Sequence, residues 1–411
     1  MLILCKIRSI YLISSVCIDR IFDRMLIRLM MFLVVLGVSV SAQAQSDSSY
    51  AVLKGHSDDV ESVAVSRSGE LLATGSWDNT VQVFGTDSTF PHKQTLYGHR
   101  AAVSALAFSE LGDILVTGGN DFRLLIWERD LSGKYSLKKE LNQVHSAGIN
   151  DVKVGRNSDM IFSCGDDGKI VVYSIGRDQK WVIDNKLPVN SIAIKGRNYI
   201  LCADESPVAK LYSVTGRLIK EFVGHKDVIN SVDFKGDMVV TGSSDKTCIV
   251  WDVMTGKQRM VLSGHTWKIN SVDISNDGDY IVTGSSDGST KVWDISSGDE
   301  IKSFSEPVGI IRQVAMSQDM HFIFSAYQVD DEAGNPTYGL SVWKTGMAFK
   351  FTSAEIAQNI RRVRQLREEA IAKAEADKKE VEQQKKQLAK EQPKPQVVKD
   401  TYDIQITIED E

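Results

Sequence analysis

From about residue 50 to residue 345, apolar and polar positions alternate in short runs broken by turn residues. INSVDF (229–234) and INSVDI (269–274) alternate with period two. Such alternation predicts half-buried strands, and the Asp-Gly and Gly-Ser clusters between runs predict tight turns joining antiparallel neighbours. The more continuously apolar runs cluster around one recurring string. TGSSDKTCIVWD (241–252) returns almost unchanged as TGSSDGSTKVWD (283–294). Duplication of this kind suits a structural unit built several times better than a catalytic motif.

Five copies align: LLATGSWDNTVQVF (71–84), ILVTGGNDFRLLIW (114–127), IFSCGDDGKIVVY (161–173), VVTGSSDKTCIVW (239–251) and IVTGSSDGSTKVW (281–293). Gly-His pairs precede four of them, at 55–56, 98–99, 224–225 and 264–265, and the third has His145 without the Gly. Two weaker copies, 189–214 and 308–343, bring the count to seven. A period near 40–45 residues with Gly-His starts and Trp-Asp ends resembles the WD-repeat β-propeller family. The resemblance covers about residues 50–345 and implies an all-β, seven-bladed propeller.

In that family the His, a Ser or Thr, the turn Asp and the Trp form a buried hydrogen-bonded chain in each blade. The matching residues are His225, Ser243, Asp245 and Trp251, and His265, Ser285, Asp287 and Trp293. His56 and Asp78, His99, Asp121 and Trp127, and His145 and Asp167 take the same positions in the first three blades. There Phe84 and Tyr173 stand for Trp, and Gly119 and Gly165 for Ser. The fourth and seventh blades lack the set, which predicts reliance on apolar packing and lower rigidity. The segment ahead of the first Gly-His, Tyr50–Leu53, is expected to supply the outer strand of the seventh blade and close the ring.

Composition refines this picture at the ends. Residues 1–44 hold two apolar stretches, the second following Arg28 and ending Ala42-Gln43-Ala44. A positive flank, a short apolar run and an A-x-A end predict a signal peptide cleaved after Ala44, hence an exported, periplasmic or secreted bacterial protein. Translation from Met25 or Met30 fits this pattern better than Met1. An uncleaved leader would be the one route to membrane association. Cys164, Cys202 and Cys248, without metal-site spacing, read as buried thiols. The net charge of −6 argues against a nucleic-acid partner.

No catalytic set, metal site or cofactor motif is evident, and five of the seven histidines occupy the repeat position. The expectation is therefore a non-enzymatic scaffold for protein partners, of unassigned oligomeric state. Partner-facing candidates are Trp77, Arg100, Asn120, Lys226 and Trp267, plus Asp330, Asp331 and Glu332 in an insertion of the last blade. Asp166, Ser244 and Ser286 occupy the same turns as Asn120. Past the propeller, residues 353–392 open with a Thr-Ser-Ala-Glu capping box and predict a helical arm, a weak coiled coil at best. Pro393 and Pro395 end it, leaving 393–411 as a flexible tail. Two further readings stand beside the scaffold. One is a structural subunit of an envelope machine, assembled through the arm. The other is a small-ligand sensor or enzyme using the central channel, which inward carboxylates there would favour.

Overall fold

The computed structural model describes residues 49–346, save 131, 156–157, 306–308 and 329–338, together with Gln358 and Gln365. The leader, the arm apart from those two glutamines, the tail and the acidic insertion with Asp330, Asp331 and Glu332 lie outside the described residues.

Among the described residues, strands β1 to β28 form seven four-stranded antiparallel sheets. The innermost strand of each is β2 (Val60–Val65), β6 (Val103–Phe108), β10 (Ile149–Val154), β14 (Val189–Lys195), β18 (Ile229–Lys235), β22 (Ile269–Ile274) and β26 (Ile310–Met316). Each touches the inner strand of the next sheet, and β26 touches β2, so the seven blades close a ring around a channel. The last blade is completed from the other end of the chain. Its outer strand is β1 (Ala51–Leu53), paired with β28 (Gly339–Lys344) in the register Val52↔Ser341. The expected closure by residues 50–53 is thus found.

The second strand of each blade is covered on both faces. Leu71–Ser76 is buried throughout, which explains why these strands read as apolar runs rather than alternating ones. The Gly of the T-G-S string is set by blade packing. A Cβ at Gly242 would stand 2.7 Å from Ile269 and from Val272 of the next inner strand; at Gly284, 2.6 Å from Ile311 and Val314. Only hydrogen in place of a side chain lets the next blade close in.

Every inner strand carries a bulge at its second or third residue. An extra residue there turns its side chain out of the ladder. In four blades it is Asn, and that amide bridges to the next blade. Asn150 donates to Val189 O, Asn190 to Ile229 O, Asn230 to Ile269 O and Asn270 to Ile311 O, at 2.7–3.0 Å. The following Ser or Asp accepts in return. Ser191, Ser231 and Ser271 take the amides of Val232, Val272 and Val314, and Asp151 takes that of Ile192. At the seam, Gln313 accepts from Val63 at 2.7 Å. The polar half of the alternating pattern therefore stitches blade to blade, satisfying backbone groups that an inner edge strand would otherwise leave unpaired.

Candidate functional site: the upper face and the lower channel mouth

The upper face carries the turns between second and third strands and the loops entering each inner strand. In five blades one aspartate ties these two together. Asp245 accepts His225 Nδ1 at 2.8 Å and the Lys226 amide at 2.9 Å on one side, and the Thr247 amide at 2.9 Å on the other. Asp78, Asp121, Asp167 and Asp287 do the same for His56 and Ser57, His99 and Arg100, His145 and Ser146, and His265 and Thr266. Burial pushes the Asp78, Asp121 and Asp287 carboxyls up, but the donors from His, loop amide and side chain outweigh it. All three are held below the ordinary carboxylate range. Burial pulls His145 below the usual imidazole range against the opposing pull of Asp167.

The hydroxyl in the chain is not the one expected from the sequence. His225 Nε2 lies 2.7 Å from Thr241 Oγ1, and Trp251 Nε1 donates to the same oxygen at 2.9 Å. Thr283 serves His265 and Trp293 likewise, at 2.7 and 2.9 Å. Ser243 and Ser285 sit two residues on, where each hydroxyl donates to a loop carbonyl and accepts the amide of its turn Asp. Thr117 and Ser163 fill the role in the second and third blades, so Gly119 and Gly165 remove nothing from it. In the first blade Thr74 bonds His56 at 2.8 Å, and Phe84, opposite Leu72, stands in the Trp position. Every group is used once when the indole N–H donates to Thr, the Thr hydroxyl to Nε2, and Nδ1–H to Asp.

The fourth blade also departs from expectation. Asp204, fully buried, accepts from Lys210 at 2.6 Å, from Asn185 at 2.8 Å and from Ser206. Tyr212 donates to Asn185 at 2.9 Å. A substitute network, not apolar packing alone, holds this blade. The seventh keeps a fragment: Trp343 donates to Ser325 at 3.1 Å, and Thr290 of the sixth blade meets the same oxygen at 2.8 Å.

Against this fixed frame the partner candidates fall where the loops place them. Arg100 and Lys226 follow their histidines and are exposed; Asn120 precedes Asp121 and is exposed. Trp77 and Trp267 are 50% and 59% exposed. Trp77 donates from its indole to Glu61 at 3.0 Å, and Glu61 lies 4.0 Å from Arg312 across the seam between the last blade and the first. Lys246 stands 5.7 Å over the Trp267 ring. Asp166, Ser244 and Ser286 each receive an Asn from their own inner strand.

The family comparison agrees with this geometry. Residues 47–84, 90–128, 136–174, 216–252 and 256–294 match the WD domain, G-beta repeat family. The chain is a seven-bladed WD40-repeat propeller. Such propellers are typically scaffolds for protein partners. The matched segments include all five His–Asp blades, and the fourth and seventh inner strands lie outside them.

At the opposite end, the lower mouth of the propeller's channel opens into a cavity of about 620 Å³. One apolar side chain from each blade lines it: Val65, Phe108, Val154, Ile194, Phe234, Ile274 and Met316. Asp233 and Asp273 lie among them, with Lys195, Lys235 and Arg67 at the rim. Sequence reading missed this site, although the Val-Asp-Phe and Val-Asp-Ile strand ends carried its signal. Among the described residues, no group of three or more His, Cys, Asp or Glu is placed to hold a metal ion. Cys164, Cys202 and Cys248 are buried and free.

Proposed function

We propose that this propeller is a non-enzymatic, exported scaffold that captures a protein partner on its upper face, with the 353–392 arm extending its reach. The observation that carries the reading is the pair of half-exposed tryptophans, Trp77 and Trp267, on a face whose loops are pinned by partly buried aspartates. Exposed aromatic and Arg side chains on a preorganised surface suit a binding hot spot. Arg100 and Lys226 add charge beside them. Export rests on the A-x-A leader alone. Capture from envelope fractions, with mass spectrometry, tests the reading. The pair Trp77→Ala and Trp267→Ala is expected to lose partners that wild-type protein retains, with no fall in thermal stability. Equal capture by both proteins would refute it. The arm, free of Gly and Pro from 354 to 392, supports a second role as the assembly element of an envelope complex. Deleting 353–411 is then expected to abolish complex assembly and leave the propeller folded.

A further inference from the structure

The lower mouth holds two adjacent carboxylates, Asp233 and Asp273, without a direct ion pair among the described residues. One position near the end of each inner strand forms a ring: Ala64, Ala107, Lys153, Ala193, Asp233, Asp273 and Ala315, by register with the neighbouring strand. The four alanines leave room inside the ring. Lys153 is taken by Asp151 at 2.7 Å. Among the described residues Asp233 accepts the amides of Phe234 at 2.7 Å and Ile274 at 2.9 Å, and Asp273 that of Met316 at 2.7 Å. Neither forms an ion pair within 4.0 Å among the described residues. Lys153 and Lys235 act on both carboxylates only from beyond ion-pair distance. The residues next toward solvent, including Phe234 and Ile274, are the apolar collar, so anything reaching the carboxylates passes apolar surface first.

We propose that this mouth binds an alkylammonium group, its apolar stem in the collar and its charge between Asp233 and Asp273. A cavity of about 620 Å³ suits a small ligand. The proposal does not depend on the upper face; a propeller that captured nothing there would still carry it. Burial, then the charge of Asp233, pushes the Asp273 carboxyl up to about 7, against the pull of Lys153 and Lys235. Burial raises Asp233 as well, against two amides and the same two lysines. An arriving cation favours the ionised carboxylates and displaces a proton, so affinity rises with pH across neutrality while the amine itself stays charged.

Calorimetric titration of the full chain with n-pentylamine tests this, with 1-pentanol as the uncharged isostere. Pentylamine is expected to bind and pentanol not, and wild-type affinity is expected to be higher at pH 8 than at pH 6. Asp273→Asn should lower it by roughly tenfold or more, with the unfolding transition kept because the amide oxygen still accepts the Met316 amide; Asp233→Asn should lower it likewise, with one of the two amide bonds of its carboxylate lost. Equal binding of pentanol, a flat pH profile, full affinity in both variants, or no pentylamine binding would overturn the proposal. So would calcium binding that the variants abolish while pentylamine stays silent. Titration with Nα-acetyl-lysine methylamide assigns the source: binding there marks a lysine of a partner chain, and binding of pentylamine alone marks a small free amine.

Discussion

At the scale of single residues, the repeat motif separates into groups that do different work on the same strand. Thr241 and Ser243 point to one face, two positions apart, and both meet polar partners. Only Thr241 stands between His225 and Trp251. Thr241→Val should therefore leave His225 Nε2 and the Trp251 N–H unpaired, at a cost of about 1–3 kcal/mol, measured by urea denaturation. Asp245→Ala removes acceptors for a histidine and two loop amides and should cost at least as much. An equal cost from Ser243→Ala, with Thr241→Val silent, would return the role to Ser243. The lowered Asp carboxyls also set an acid limit. A carboxylate held low in the fold contributes stability that is present above about pH 4 and is lost as pH falls below it. His145 adds loss from the neutral side, since unfolding frees an imidazole that protonates more readily.

At the scale of blades and strands, most of the architecture was legible because alternation, Gly-His and Trp-Asp each report a local requirement. What was not legible depended on register. Period two puts Thr241 and Ser243 on one face, and only the pairing Val239↔Trp251 shows which of them the indole reaches. The Asn and Ser of INSVD read as the wet half of a strand; the bulge turns them onto the next blade instead. Nor could the fourth blade's network be read, because Asn185, Asp204, Lys210 and Tyr212 reproduce the function of His and Asp with other residue types. Asp204→Ala strands a largely buried Lys210 and should cost about 3 kcal/mol or more, seen as a lowered midpoint in chemical denaturation. A shift no larger than that of a surface substitution would restore the view that this blade relies on apolar packing.

At the scale of the whole molecule, the strand exchange that closes the ring is short, although the first and last blades share an apolar core. β1 contributes three residues to the last blade, where other outer strands contribute six or seven. Gln313 and the Arg312–Glu61 pair add polar links across the same seam. Removing residues through Leu53 should expose the β28 edge, broaden the unfolding transition and promote aggregation, readable by calorimetry and light scattering. A sharp, unshifted transition would show that the seam holds without β1. Trp77 is joined to this seam through Glu61, so loss of closure should also disturb the upper face.

The account turns on five aspartates holding the loops of that face in place. Residue-resolved hydrogen exchange reads this directly at the amides of Ser57, Arg100, Ser146, Lys226 and Thr266, each bonded to its Asp at 2.8–3.0 Å. Protection well above that of ordinary exposed loops at all five, with Lys226 alone released in Asp245→Ala, is the predicted result. Free exchange at these amides in the wild-type protein would contradict it.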